Sequence, residues 1–401
     1  MNILFISISP MHHMSKHSIS QDLLRQFTKD GHSVYVVCST ERRNNVDTYL
    51  SIEENCRVLR VKTGNNKKTS IVEKGLNTLV LPKLYIAAIK KYYGDIRFDL
   101  VLYPTPPITH VRTVKYIKRR DGAKSYLMLK DIFPQNAVDI GMMSTHGLKG
   151  ILYRQFRRIE KELYKVSDRI GCMSQANVDY LLKHNPEIDR EKVEIFPNGI
   201  EIVDVSINAL QREEIRKKYD IPLNRKVFVY GGNLGKPQGI DFVISCLPKL
   251  SGYSDAYFLI VGDGTEFNRL EKTIAGHNWN NIRLLKRMPK EDYDRMISAC
   301  DVGLIFLDHR FTIPNFPSRL LAYLQAKLPV LAATDPNTDL GETIQNGGFG
   351  WWCESNDING FCSLVETALK DDLQAKKDNG YKYLLEHYQV KDTYKIIINS
   401  L

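Results

Sequence analysis

Two successive series of short apolar runs and longer amphipathic stretches constrain the fold of this chain more than any other feature. In the first series, runs rich in β-branched residues alternate with helical patterns from residues 3–8 to 193–196. A second series begins at 227–230 and continues to 329–332. Such alternation is typical of β–α–β units, whose strands form parallel sheets covered by helices. The sequence therefore predicts two α/β domains, each built on one parallel sheet.

A connecting stretch at 197–224, with prolines around a charged helical pattern, separates the two series. We expect domains over 1–200 and 201–380, followed by a helix over 381–401 that packs across them. Ligands of parallel sheets lie beyond the carboxyl ends of the strands. The main site is therefore expected in the cleft between the two domains.

Positive charge is concentrated in the first half of the chain. The whole sequence carries 56 basic and 46 acidic residues, and 17 of the basic but only 4 of the acidic ones fall between Arg57 and Lys130. Nucleic-acid binding usually joins such charge to a recognisable module, and the sequence contains no such motif. An anionic membrane surface is another fitting partner, since each nearby cation contributes about 1 kcal/mol. The stretch 76–93 mixes aromatic and Lys residues, and predicts either a core-packing or an interfacial helix.

Several classes of protein are disfavoured by simple counts. The seven cysteines are odd in number and form no CxxC pair, which favours reduced thiols in a cytosolic compartment. No apolar run is long enough to cross a bilayer, and the first residues lack the basic region of a signal peptide. His12, His13 and His17 have no acidic or cysteine residue beside them in the sequence, so we expect no metal site.

The segment YGGNLGKPQGID, at 230–241, carries the strongest local signal. Its glycines follow a strand and precede a helix, where unpaired N–H groups and the helix dipole favour phosphate. A plain strand-to-helix turn is an equally good interpretation of the spacing alone. The segment is not a P-loop and does not fit G-x-G-x-x-G, and no glycine follows the first strand. A dinucleotide-binding fold is therefore not indicated.

The order of motifs resembles that of family 4 glycosyltransferases of GT-B architecture over essentially the whole chain. After the glycine turn come LIVGDG at 259–264, CDVGL at 300–304 and KLPVLAATD at 327–335. The resemblance implies two Rossmann-like domains that face each other across a cleft, with C-terminal helices crossing back to the first. It also implies a nucleotide-sugar held by the C-terminal domain, an acceptor held by the N-terminal domain, retention of configuration, and no metal or other cofactor.

Further motifs, LKDIFPQNAVDIG at 129–141 and IPNFPSRLLAY at 313–323, resemble the N-acetyl-L-fucosamine transferases of capsule and O-antigen assembly. The family's usual Arg and Lys in the glycine turn are replaced here by Asn233 and Gln238, and its two glutamates by Pro314 and Ala322. Lys236 and Arg319 are expected to supply the missing charge, and Ser318 to cap its helix. The resemblance implies these donor-binding residues: Gly232, Asn233, Gly235, Lys236, Gln238, Gly262, Asp263, Gly264, Asn315, Ser318 and Arg319.

In the N-terminal domain, Asp131 follows an apolar strand and is the candidate that deprotonates an acceptor hydroxyl. A helix cap or an ion pair with Lys130 is the alternative. His17, in the first loop between strand and helix, is the second catalytic candidate. Lys16, Lys130 and Gln135 are expected to bind the acceptor.

The sequence thus predicts a retaining glycosyltransferase that uses a UDP-sugar, with N-acetyl-L-fucosamine as the candidate sugar. The expected acceptor is an undecaprenyl-diphosphate-linked sugar at the cytoplasmic face of the membrane, with the enzyme held peripherally there. Two alternatives remain open. One is a UDP-sugar 2-epimerase of the same architecture, and the other is a basic nucleic-acid-binding protein.

Overall fold

The computed structural model describes residues 1–65 and 71–401, and the chain divides into two compact units. Unit 1 contains Met1–Glu201 and Gln389–Leu401, and unit 2 contains Ile202–Tyr388. Each unit holds one β-sheet with helices, as the two series of apolar runs predict.

Unit 1 is built on an eight-stranded sheet whose strand order is β3-β4-β2-β1-β5-β6-β7-β8. The strands are β1 (Asn2–Ile6), β2 (Ser33–Glu41), β3 (Tyr49–Glu53), β4 (Cys56–Thr63), β5 (Leu100–Pro104), β6 (Lys124–Leu129), β7 (Arg169–Cys172) and β8 (Val193–Ile195). The helices that precede the second unit are α1 (Ile19–Lys29), α2 (Ile71–Tyr92), α3 (Val111–Asp121), α4 (Gln135–Asp139), α5 (Gly147–Val166) and α6 (Gln175–His184).

The prediction of a purely parallel sheet is wrong at one edge of unit 1. Strand β3 pairs antiparallel with β4, through a two-residue turn at Glu54 and Asn55. Both turn residues have positive φ angles, 47° and 62°, as tight hairpin turns require. The sequence analysis missed this strand because the turn lacks the Asn-Gly or Asp-Gly pair that usually marks such a hairpin.

Unit 2 is built on a six-stranded parallel sheet of order β11-β10-β9-β12-β13-β14. Its strands are β9 (Lys226–Asn233), β10 (Ala256–Asp263), β11 (Ile282–Lys286), β12 (Val302–Phe306), β13 (Val330–Thr334) and β14 (Gly350–Glu354). Its helices are α7 (Ala209–Lys218), α8 (Ile240–Leu250), α9 (Phe267–Ala275), α10 (Lys290–Ile297), α11 (Arg319–Gln325), α12 (Leu340–Asn346), α13 (Ile358–Lys370) and α14 (Gln374–His387). The last helix of the chain, α15 (Val390–Asn399), packs on α1 in unit 1.

Two strands of unit 2 run further than the sequence predicts. Gly231 and Gly232 pair in register with Val261 and Gly262, so β9 and β10 continue through their glycines. The turn that follows β9 therefore begins only after Asn233. Strand β14 was not predicted at all, because its short run beside Gly347 and Gly348 carries no alternating pattern.

Helix α2 belongs to the core of unit 1, which decides between the two interpretations of the stretch 76–93. Tyr85, Ile89 and Tyr93 are buried. The Tyr85 hydroxyl donates to the Ser7 carbonyl at 2.7 Å, and the Tyr93 hydroxyl donates to the Arg57 carbonyl at 2.8 Å. These aromatic rings are not available to a membrane, so the interfacial alternative is wrong for them.

Ion pairs within unit 1 take up part of the positive charge between Arg57 and Lys130. Lys118 contacts Asp168 at 2.6 Å, and Lys115 contacts Glu162 at 3.1 Å. Lys67 and Lys68, which contribute to the same surplus, lie outside the described residues. In the part of the chain that is described, no helix is both long enough and apolar enough to cross a bilayer.

The aspartate of the CDVGL motif anchors the first strand of unit 2. Asp301 accepts hydrogen bonds from Arg212 and Arg216, both at 2.6 Å, and from the Val227 backbone N–H at 2.8 Å. Arg216 is only 2% exposed, and it also donates to the Ala299 carbonyl. A buried guanidinium with these partners fixes α7, the start of β9 and the start of β12 together.

Replacing Asp301 by Asn is expected to lower the free energy of unfolding of unit 2 by about 3 kcal/mol, since it leaves the buried Arg216 charge without its counter-ion. All three tryptophans, Trp279, Trp351 and Trp352, lie in unit 2, so their fluorescence during urea unfolding follows this unit. The control is Asp292→Asn, which removes an exposed pair with Lys218 at 3.5 Å and changes stability little. Equal effects of the two substitutions would contradict the assignment.

Candidate functional site

Two tyrosines, Tyr293 and Tyr323, contact the end of β9. A Cβ atom at Gly231 would lie 1.9 Å from the Tyr293 hydroxyl oxygen, so only glycine fits there. The Gly231 N–H donates to the Tyr323 hydroxyl at 3.2 Å, and that hydroxyl lies 3.1 Å from the Val229 carbonyl. The sequence analysis missed Tyr293 and Tyr323 because they come from two different helices, and their spacing carries no signal.

The side chain of Arg319 reaches the same strand end. Its guanidinium lies over the Tyr230 ring at 4.2 Å, and its Nη2 atom would be 2.8 Å from a Cβ at Gly232. Its Nη1 atom is buried and has no hydrogen-bond partner within residues 1–65 and 71–401. Buried donors in folded proteins are almost always paired. An unpaired, positively charged donor at a strand end is therefore suited to an anionic ligand.

The glycine turn is more closed than the sequence analysis expected. Gln238 accepts a hydrogen bond from the Asn233 side chain at 2.7 Å and from the Gly235 N–H at 3.3 Å. The Gly235 N–H is thus already paired and is not a free donor for phosphate. Lys236 is exposed in the same turn. Gly239 has a φ of 56° and leads into α8, which explains why glycine is needed there.

The glycines of the LIVGDG motif serve the contact between two strand ends. A Cβ at Gly262 would lie 2.1 Å from the Gly232 carbonyl oxygen, and one at Gly264 would lie 2.3 Å from the Leu234 carbonyl oxygen. The Asp263 side chain accepts a hydrogen bond from the Gly264 N–H at 2.9 Å. These residues belong to the predicted donor-binding set, and the packing of the protein backbone by itself already requires both glycines.

Asn315 lies in the loop before α11, where a contact with Thr338 holds its backbone. Its backbone carbonyl accepts a hydrogen bond from the Thr338 hydroxyl at 2.6 Å, whereas its side-chain Nδ2 atom is buried without a partner in the described part of the chain. Ser318 occupies the N-cap position of α11, but its side chain makes no capping hydrogen bond, so the expected cap is absent at this residue. Pro314 and Ala322 stand where the family's glutamates would be.

In unit 1, Lys130 and Asp131 follow β6 and are held by Thr105. The backbone N–H groups of both residues donate to the Thr105 hydroxyl oxygen, at 3.1 Å and 3.3 Å. The Asp131 carboxylate accepts from the Asn136 side chain at 2.7 Å. No ion pair joins Lys130 to Asp131 in the described chain, and Asp131 caps no helix there. Both alternatives to a functional role for Asp131 are thus unsupported by these contacts.

Burial shifts the pKa values of both side chains toward neutrality. Burial raises the pKa of Asp131 to about 6, against the lowering effect of its hydrogen bond from Asn136. Burial lowers the pKa of Lys130 to about 7. The Lys130 Nζ atom is buried without a hydrogen-bond partner in the described residues, and it lies 4.7 Å from the centre of the Phe196 ring. Titratable groups poised near neutral pH are common at catalytic sites.

Gln135 stands at the start of α4, close along the chain to Asp131. Its side chain donates to Asp139 at 2.8 Å and accepts from the Tyr153 hydroxyl at 3.1 Å. Both ends of the amide are therefore engaged within unit 1. An acceptor would have to share or displace these bonds to contact Gln135.

His17 lies in a charged network that the sequence did not reveal. Its Nδ1 atom is 3.1 Å from Arg25, 3.3 Å from Asp22 and 3.8 Å from Glu201. The expectation that no carboxylate accompanies the histidines is therefore wrong for His17. Arg25 donates to both carboxylates, at 2.5 Å and 3.0 Å, so its guanidinium already supplies the positive charge that this cluster needs.

Lys16 precedes His17 in the same loop. Its backbone carbonyl accepts a hydrogen bond from Arg25 at 2.8 Å, and its backbone N–H donates to the His13 carbonyl at 2.9 Å. The backbone of this loop is thus fixed by α1, while the Lys16 side chain is exposed.

Each of the two units matches a family of glycosyltransferases. Residues 19–203 match the family described as Glycosyltransferase Family 4, and residues 211–383 match the family described as Glycosyl transferases group 1. The probable glycosyltransferase WbjE of Pseudomonas aeruginosa is 25% identical over 81% of this chain and 78% of that protein. The UDP-Gal:alpha-D-GlcNAc-diphosphoundecaprenol alpha-1,3-galactosyltransferase of Escherichia coli is 22% identical, over 59% of this chain and 62% of that protein.

Solved structures of the same architecture cover the whole chain. Sucrose-phosphate synthase from Thermosynechococcus elongatus superposes with a TM-score of 0.78 at 14% identity, over 99% of this chain and 97% of that one. HepE from Anabaena, in complex with UDP, superposes with a TM-score of 0.70 at 15% identity, over 100% and 99%. With one glycosyltransferase family matched in each unit, the chain belongs to the family 4 and group 1 glycosyltransferases and has their two-domain GT-B fold.

Proposed function

We propose that this glycosyltransferase uses a UDP-sugar donor, which unit 2 holds by its diphosphate. The observation that carries the proposal is the Arg319 guanidinium, which lies over Tyr230 beside Gly232 and keeps one buried donor unpaired. A diphosphate supplies the charged acceptors that such a donor lacks, and Arg binds these groups with paired N–H bonds. The UDP complex of HepE, a protein of the same fold, supports this choice of nucleotide.

The departing diphosphate needs stabilisation by positive charge more than the intact donor does. When the bond between the sugar and the diphosphate breaks, negative charge grows on the departing UDP. Arg319 is fixed by its stacking, so it stabilises this charge without rearranging. Lys236, exposed in the turn after β9, is the second cation that we assign to the same task, and Asn315 and Ser318 to the sugar or phosphate oxygens. No metal takes part in this scheme.

The acceptor in this proposal is a sugar on an undecaprenyl diphosphate, as in the name of the Escherichia coli relative. The acceptor hydroxyl attacks the anomeric carbon from the side that UDP leaves, which retains the configuration. Its proton passes to Asp131, whose raised pKa favours such a transfer near neutral pH. Lys16, Lys130 and Gln135 are assigned to the acceptor, and His17, which follows Lys16 in the first loop of unit 1, is the second catalytic candidate.

The candidate sugar is an amino-deoxyhexose, N-acetyl-L-fucosamine, and the product belongs to a capsular or O-antigen polysaccharide. This choice of sugar rests on the motifs at 129–141 and 313–323. The place of action is the cytoplasmic face of the membrane, where the enzyme is held peripherally. No observation favours the 2-epimerase or the nucleic-acid-binding alternative, and the matched families are those of glycosyltransferases.

Replacing Arg319 by Met is expected to weaken UDP binding roughly 10- to 100-fold, because charge-assisted hydrogen bonds to the diphosphate are lost. Isothermal titration with UDP measures the effect. Arg269→Met is the matched control, since this arginine already pairs with Glu266 at 3.5 Å on the surface of unit 2. UDP binding at the original affinity in the Arg319 variant would refute the assigned diphosphate site.

If Asp131 accepts the proton, kcat/KM falls as the pH drops below about 6, the value of its raised pKa, because the carboxylate is then protonated. The Asp131→Asn variant is expected to lose about 10²- to 10⁴-fold in rate. The variant should fold at least as stably at pH 8, since burial disfavours the charged form that Asn replaces. Asp179→Asn, on the surface of α6, is the control. An acid limb near pH 4 would count against Asp131.

A panel of UDP-sugars tests the identity of the donor. Thermal unfolding is measured with each sugar and with UDP alone, and the preferred donor is expected to raise the melting temperature above the value with UDP. The product formed on a lipid-diphosphate-linked acceptor is then examined by NMR. Retention predicts the same anomeric configuration as in the donor, and an inverted product would exclude the mechanism proposed here.

A further inference from the structure

Helix α5 carries a row of cations along one face. Arg154, Arg158, Lys161 and Lys165 are spaced four, three and four residues apart, which places them on the same side of the helix. All four are exposed. With Glu187, Ile188, Asp189 and Lys192, they line a groove of about 690 Å³ within unit 1. The row spans about 17 Å of helix at 1.5 Å per residue.

Most of this row is not neutralised. Lys161 contacts Glu187 at 2.9 Å, but Arg154, Arg158 and Lys165 have no acidic partner in the described chain. Two of the cations of α3, Lys115 and Lys118, are paired by contrast. The groove of α5 therefore keeps a net positive field that reaches solvent.

Exposed apolar side chains lie at the start of the helix. Ile151 precedes Arg154 by three residues, which places it on the face of the cations, and it is 57% exposed, whereas Leu152 is 49% exposed and points about 100° further round the helix. Met142, in the loop between α4 and α5, is 60% exposed. Three large apolar side chains exposed within eleven residues are unfavourable in water, and such groups beside cations mark an interaction surface.

We infer that this face of α5, from Ile151 to Lys165, docks the protein on the surface of an anionic phospholipid bilayer. The three unpaired cations and Lys161 face the lipid phosphates, while Ile151, on the same face, enters the boundary between headgroups and acyl chains. The inference deepens the proposed function, because it rests on a lipid-linked acceptor and assigns the surface that brings the enzyme to it.

The assignment moves the membrane contact away from α2. Lys83, Lys90 and Lys91 on α2 are exposed, and Leu79 and Val80 before them are 46% and 45% exposed, whereas Tyr85 and Tyr93 are buried in unit 1. Lys90 lies 5.4 Å from the centre of the Tyr116 ring. Helix α2 thus presents a second face with cations and exposed apolar residues, and we prefer α5 because its row of cations is longer and Ile151 is more exposed. The two helices supply a matched comparison, since each carries three lysines or arginines that can be neutralised.

The test uses the full chain and vesicles made of equal parts phosphatidylcholine and phosphatidylglycerol, without donor or acceptor. The triple variant Arg154→Gln, Arg158→Gln, Lys165→Gln is expected to sediment with these vesicles about 100-fold more weakly, since each cation near an anionic surface contributes about fivefold. The control is Lys83→Gln, Lys90→Gln, Lys91→Gln, which removes the same charge from α2 and should bind nearly as the original protein does.

A second variant, Ile151→Ser with Leu152→Ser, tests the apolar part. It keeps every charge, so it is expected to bind weakly at high salt, where the original protein still binds through insertion. Equal losses in the two triple variants would overturn the inference, because binding would then depend on net charge alone. Absence of vesicle binding by the original protein would overturn it as well.

The outcome is independent of the donor site. Loss of UDP binding in an otherwise vesicle-binding protein would refute the proposed function and leave the surface assignment standing. UDP binding without vesicle binding would refute the surface alone.

Discussion

Close backbone approach at the ends of β9 and β10 is the constraint on which the candidate donor site depends. Gly231 leaves space for Tyr293, and Gly232 leaves space for Arg319. At Gly262, the carbonyl oxygen of Gly232 lies close to where a Cβ atom would stand. A side chain at any of these positions would separate the strands or displace the arginine. The glycines therefore fix the position of a buried positive charge, and this is a different role from contact with phosphate through free N–H groups.

Much of the fold follows from periodicity, because buried parallel strands must be apolar along their whole length. The runs predicted at 3–8 and 227–230 correspond to β1 and β9, and the helix predicted after the glycine turn is α8. Strands β3 and β14 were missed since one depends on an unusual hairpin turn and the other is short. The predicted strands β9 and β10 end too early, because their glycines were interpreted as turn residues. In the structure these glycines lie within the strands and allow the strand ends to pack closely.

The candidate site was predictable only in part. Arg319 was singled out because the glycine turn lacked its usual cations, and the unpaired Nη1 atom agrees with that reasoning. Tyr293 and Tyr323 support the site but come from separate helices, so no spacing in the sequence connects them. The network of His17, Asp22 and Glu201 brings residue 201 to the first loop, a contact that depends on the tertiary fold. The burial that shifts Lys130 and Asp131 likewise exists only after folding.

The order of the units along the chain has a consequence for synthesis. Ile200 pairs with Gln389, and the Val390 N–H donates to the Ile200 carbonyl at 2.9 Å, so unit 2 is inserted into unit 1 between two adjacent points. Helix α15 covers Phe27, whose ring meets Tyr394 edge-on at 4.9 Å. A ribosome delivers α15 after every residue of unit 2. Unit 1, whose first strand precedes unit 2 in the chain, therefore closes its core only after unit 2 has been made, and the apolar face of α1 stays uncovered until α15 has been synthesised.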